Sequence, residues 1–140
     1  MKILLAVDGS DYTHRMLAHL AAHDELLGAG HEYTAITVVA PVPSRAAGFL
    51  AHDVLHNYYD EQAENVLKPV RSFIAQQGWQ IDCRHVVGHA ADAITEFAEA
   101  GRFDLLVMGT HGHSPLGSVV LGSTTMRVIA QSKLPVLLVR

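Results

Sequence analysis

Leu105-Leu106-Val107-Met108-Gly109-Thr110-His111-Gly112, followed nine residues later by Gly122-Ser123-Thr124-Thr125-Met126, decides how this chain is read. The apolar run predicts a buried strand, and Met126, Ile129 and Ala130 fall at helical spacing. Between them Gly109, Gly112 and Gly122 predict a loop whose backbone approaches a ligand closely and takes positive φ. A strand that opens through glycines onto a helix start is a way to hold phosphate. The first amides of a helix have no intrahelical acceptor, and they point at the anion. Ser123 or Thr124 can cap the helix or donate a hydroxyl to the same anion.

Upstream, the same grammar recurs. Ile3 to Val7 is a short apolar run ending in the turn signal Asp8-Gly9-Ser10. Leu17, Leu20, Ala21 and Leu27 mark a first helix, with Gly28 and Gly30 as its stop. Tyr33 to Val39 is a second strand, closed by Pro41 and Pro43. Pro41 to about His56 reads as the least regular connection, carrying an exposed Phe49-Leu50 pair, and is a candidate lid. Val66, Leu67, Val70, Phe73 and Ile74 mark a second helix, with a kink or broken turn expected at Pro69. Trp79 to Val87, a helix around Ala93-Phe97-Ala98, Phe103 to Met108, the glycine loop with its helix, and Leu134 to Val139 complete the pattern.

Five strands alternating with four helices predict an α/β fold, a parallel sheet with right-handed crossovers and helices on both faces. Ligands in such sheets bind beyond the carboxyl ends of the strands, where strand order reverses. If the first and fourth strands are neighbours, Asp8-Gly9-Ser10 and Met108-Gly109 share one crevice. The last strand, Pro135 to Val139, is apolar throughout, and pairing with a second copy would cover its edge and give a homodimer.

With 140 residues, 49% apolar and 17% charged, one compact domain over 1–140 is expected. A net charge of −4 with no basic cluster argues against a nucleic-acid or membrane-surface binder. The lone Cys83 excludes a disulfide framework, and no leader-like segment opens the chain, so a cytoplasmic protein is expected.

Gly109-Thr110-His111-Gly112, nine residues, then Gly122-Ser123 resembles the nucleotide-binding signature of the universal stress proteins. Ala6 to Ser10 resembles that family's first strand and turn, Asp104 to Gly109 its fourth strand, and Pro135 to Val139 its last. The resemblance implies a Rossmann-like, adenine nucleotide alpha hydrolase-like three-layer sandwich with a five-stranded sheet of order 3-2-1-4-5. It also implies dimers through the last strand and bound ATP, ADP or AMP, with or without Mg2+. Carried over by position, Asp8 would lie near the ribose or a metal, flanked by Val7, Gly9 and Ser10. Val38 would offer backbone bonds to adenine, and Met108 and Gly109 would line the ribose side. Gly112, Gly122, Ser123 and Thr124 would hold phosphate, with His111, His113 and Thr125 beside them. Relatives often carry Arg or Lys in the segment 113–118, whereas this chain has none there and its nearest cation is Arg127. AMP or ADP is therefore expected to compete well with ATP.

No catalytic residue and no metal site is assigned. His52 and His56, and His19 and His23, repeat at a spacing of four, but neither pair has a secure third ligand. Ser10 with His14 lacks a readable oxyanion partner. The function expected is a stress-response regulatory protein, a nucleotide-dependent dimeric switch with unknown protein partners and at most slow hydrolysis. The rival readings are a dimeric scaffold with a vestigial pocket and an enzyme acting on an adenylated substrate.

Overall fold

The computed structural model describes residues 1–114 and 120–140. Strands β1 (Lys2–Ala6), β2 (Glu32–Val39), β3 (Ile81–Val87), β4 (Leu105–Gly109) and β5 (Val136–Val139) form one sheet of order β3-β2-β1-β4-β5. Every adjacent pair is parallel. The connections carry helices α1 (Asp11–Ala22), α2 (Asp24–Leu27), α3 (Ser44–Ala47), α4 (His52–Gln76), α5 (Ala90–Ala100) and α6 (Ser123–Gln131).

Side chains alternate across a strand, so β1 feeds two cores at once. Ile3 and Leu5 pack with Met16, Leu17 and Leu20 of α1 and with Leu67, Val70 and Ile74 of α4. Leu4 joins Leu106 and Met108 of β4, Ile94 and Ala98 of α5 and Val128 of α6 on the opposite face. All three β1 residues are fully buried, as a central strand covered on both faces requires. The expected three-layer α/β architecture and strand order are what the structure shows.

Four local expectations are corrected. The second long helix begins at His52, well before the apolar repeat becomes readable, because its first turns are almost wholly exposed and only Ala63, Leu67, Val70 and Ile74 are buried. The irregular connection therefore ends near Ala51 and itself contains α3. The helix also runs unbroken through Pro69, which faces solvent, so water can reach the carbonyl that the proline leaves without a donor. Finally, α6 turns Thr125 and Val128 inward and leaves Met126, Ile129 and Ala130 exposed. Thr125 earns the inner position by donating its hydroxyl to the Gly109 carbonyl at 3.1 Å. The first helix is also divided: His23 ends α1, its Nδ1 donating to the His19 carbonyl at 2.8 Å, and α2 runs on to Gly28.

Candidate functional site

A crevice of about 250 Å³ opens at the carboxyl ends of β1, β2 and β4, on the face covered by α5 and α6. Its floor follows from register. Ala6 sits opposite Ile36 on one side and Met108 on the other, so these three side chains lie in a row across the sheet. Val38, two residues beyond Ile36, extends the row, and Ala90 and Ile94 at the start of α5 form the facing wall. This end of the crevice is apolar.

The other end is polar and built by two loops. In the first, Asp8 organises the turn after β1: its Oδ1 accepts from the Ser10 amide at 2.9 Å and from the Thr13 hydroxyl at 3.0 Å. Gly9 takes a left-handed φ of +76°, a conformation that other residues rarely adopt. In the second loop, the Thr110 amide donates to Val139 at 2.9 Å and the Thr110 carbonyl accepts from the Gly122 amide at 2.8 Å. His111 Nδ1 lies 3.0 Å from the Thr110 hydroxyl, and its ring centroid is 5.0 Å from that of Tyr12. His113 joins the loops: its Nε2 donates to the Asp8 carbonyl at 2.7 Å, which places a proton on that nitrogen because a carbonyl only accepts.

The glycines are explained by close approach rather than by left-handed backbone. Among the described residues only Gly9 and Gly78 are glycines with positive φ, which corrects the expectation for Gly109, Gly112 and Gly122. A Cβ on Gly109 would stand 2.6 Å from the Cβ of Tyr12, and one on Gly112 would stand 2.5 Å from Asp8 Oδ2. At Gly122 the nearest atom would be His111 Cα at 3.3 Å. Gly122 is also the N-cap of α6, where no side chain caps the helix and no acidic residue lies in the first turn. The amides of its first turn are thus left for solvent or an anion.

Of the fourteen residues singled out from sequence, twelve line this crevice: Val7, Asp8, Val38, Met108, Gly109, His111, Gly112, His113, Gly122, Ser123, Thr124 and Thr125. Gly9 and Ser10 do not; they face a separate shallow depression behind Gly112 and His113. Ser10 is buried, and its hydroxyl has no hydrogen-bond partner among the described residues. Sequence reading missed Ala6, Thr13, Ile36, Ala90, Ile94 and Ser114. Ile36 was findable from Val38 by the two-residue period of a strand; Ala90 and Ile94 had no signal, because helical periodicity marks them as buried without saying against what.

Arg127 is placed against Asp92 of α5, at 3.4 Å, and does not line the crevice. Pro115 to Ser118, the rest of the segment noted for its missing cations, lies outside the described residues. One member of each histidine pair has an ordinary partner: His23 bonds the His19 carbonyl and His56 meets Asp60 at 3.2 Å, a carboxylate that His85 also reaches at 3.4 Å. Tyr59 accepts the Val42 amide at 2.9 Å and so ties the β2–α4 connection to α4. Among the described residues no group of three or more His, Cys, Asp or Glu could hold a metal ion, and no helix is long and apolar enough to cross a membrane.

A five-stranded parallel sheet with a polar and an apolar pocket end at its switch point defines a Rossmann-like protein. Within that class, residues 1–140 match the Universal stress protein family, and the chain belongs to it. It is 34% identical over 139 residues to a universal stress protein of Thermus aquaticus, covering 99% of this chain and 97% of that one. It is 31% identical over 139 residues to Universal stress protein Slr1230 of Synechocystis sp., where 99% of this chain spans 42% of the relative's length. The solved structure of MJ0577, from Methanocaldococcus jannaschii, superposes with a TM-score of 0.81 at 30% identity, covering 99% of this chain and 94% of that one. A universal stress protein in complex with cAMP superposes with a TM-score of 0.71 at 25% identity, covering 100% and 98%.

Proposed function

We propose that this chain binds an adenine nucleotide in the crevice and acts as a regulatory, nucleotide-dependent switch. The observation that carries the reading is the pairing of two environments in one cavity. An apolar slot between Ile36, Val38 and Ile94 suits a purine, and beside it the uncapped start of α6 offers amides and the Ser123 and Thr124 hydroxyls to phosphate. The close approach of Tyr12 at Gly109 and of Asp8 at Gly112 leaves no room for a side chain at either position, and both glycines line the cavity. The cAMP complex of a related universal stress protein supports the ligand class.

The chain functions as a homodimer. Among the described residues β5 bonds only to β4 and stands at the edge of the sheet, and α6, which leads into β5, exposes Met126 and Ile129 nearby in sequence. An apolar edge of this kind is covered by pairing with a second copy. Nucleotide biases a dimer surface or the β2–α4 connection only by as much as its affinity differs between the two forms. The working compartment proposed is the cytoplasm.

The test is to denature the purified chain, chromatograph the released small molecules, and titrate the stripped protein with adenine nucleotides with and without Mg2+. Released or titrated adenine nucleotide is the expected result. No binding in either arm favours a scaffold with a vestigial pocket, and multiple turnover favours an enzyme. Sedimentation equilibrium reads the oligomeric state independently, and a monomer at tens of micromolar would remove the dimer.

A further inference from the structure

Resting on the adenine-nucleotide reading, we infer that the crevice selects nucleoside monophosphates over the corresponding di- and triphosphates. The selection comes from the charges that surround the phosphate end. From Gly109 to Thr125 the sequence contains no Lys or Arg. Arg127, the arginine nearest to that loop in sequence, pairs with Asp92, and Arg15, on the helix that the loop packs against through Tyr12, holds its guanidinium 5.0 Å above the Tyr12 ring. His113 has one ring nitrogen committed to the Asp8 carbonyl.

Against these, one carboxylate is fixed at the same end. Asp8 Oδ1 is held by the Ser10 amide and the Thr13 hydroxyl, which orients Oδ2 toward the Gly112 backbone, 2.5 Å from where a Cβ would stand. The carboxylate cannot swing away without losing both bonds. The positive counterpart is the start of α6, equivalent to about half an elementary charge. A phosphate monoester carries about −2 at pH 8. That matches a site whose donors are amides and hydroxyls. Each further phosphoryl group adds negative charge, and the described residues that line the crevice include no Lys or Arg to offset it and one carboxylate, Asp8, to oppose it.

The experiment is calorimetric titration of the stripped, full-length protein with AMP, ADP and ATP in EDTA at about pH 8. The expected order is AMP tightest and ATP weakest, with a gap of roughly tenfold. ATP binding as tightly as AMP, or more tightly, overturns the inference while leaving the adenine-nucleotide reading intact. No heat with any of the three ends that reading and this inference together. A second measurement isolates the cause: Asp8→Asn keeps the acceptor oxygen for Ser10 and Thr13 but removes the charge. Its AMP-to-ATP preference is expected to shrink at least threefold, and an unchanged preference overturns the role given to Asp8.

Discussion

Two strand-to-helix turns lie side by side at the top of this sheet, and they differ in how their helices begin. The turn after β1 closes on itself: Asp8 accepts from Ser10 and Thr13, and Asp11 places a carboxylate in the first turn of α1. Neither helix has a side-chain cap, but the turn after β4 has no such carboxylate, because α6 begins at Gly122 with no acidic residue in its first turn. Among the described helices of eight residues or more, α1, α4 and α5 each carry an aspartate in the first turn and α6 does not. A negative side chain there answers the helix dipole internally. Where it is absent, an external anion can do so. The shared grammar of strand, glycine and hydroxyl therefore yields one self-contained turn and one receptive turn.

This contrast can be broken from either side. The largest effect is expected at Gly109→Ala, because its Cβ would meet the Tyr12 Cβ at 2.6 Å and force α1 and β4 apart. A loss of about 1–3 kcal/mol in stability is expected by urea unfolding, with Gly122→Ala milder because its closest approach is 3.3 Å. Next, Thr13→Val removes a buried hydroxyl that donates to Asp8 Oδ1 and accepts the Asp8 amide at 3.1 Å. Unfolding should show a loss of about 1–2 kcal/mol, and calorimetric titration should show a smaller AMP-to-ATP preference as Asp8 loosens. Ser123→Asp makes α6 resemble α1. Nucleotide affinity is expected to drop about tenfold, or about 1.4 kcal/mol, with a melting temperature that is unchanged or higher. An undiminished affinity would show that the α6 start is not where phosphate sits.

The smallest effect lies at the far end of the sheet, away from both turns. Tyr33 is buried against Trp79, their rings 5.4 Å apart and nearly parallel, and its hydroxyl donates to the Gly28 carbonyl region. Burial, reinforced by the charge of Asp24, pushes its pKa up from 10.0 to about 12. The raised value favours the neutral phenol in the folded chain, so its contribution is complete below pH 10 and is lost as pH rises toward about 12. The urea midpoint should therefore decline through that window, and Tyr33→Phe should decline less steeply.

The sequence was legible wherever a signal was local. The apolar runs at Ile3 and Leu105, the breakers between them and the glycine spacing located the strands and the receptive loop, because burial on both faces removes polar residues from a central strand. It failed at α6, where a threonine rather than a methionine takes the inner position through a hydrogen bond to Gly109. It also failed at the start of α4, whose exposed turns carry little apolar repeat to read.

By itself the amino-acid order determined an alternating α/β chain, a glycine-spaced loop after the fourth strand and an uncharged apolar last strand. Only the tertiary structure decided what each part meets. Register aligned Ala6 with Ile36 and Met108 to make a slot, α5 supplied its wall, and Asp8 came against Gly112 across more than a hundred residues of chain. Periodicity tells a side chain to be buried, whereas its partner is chosen by packing between elements distant in sequence, and no short-range pattern encodes that choice.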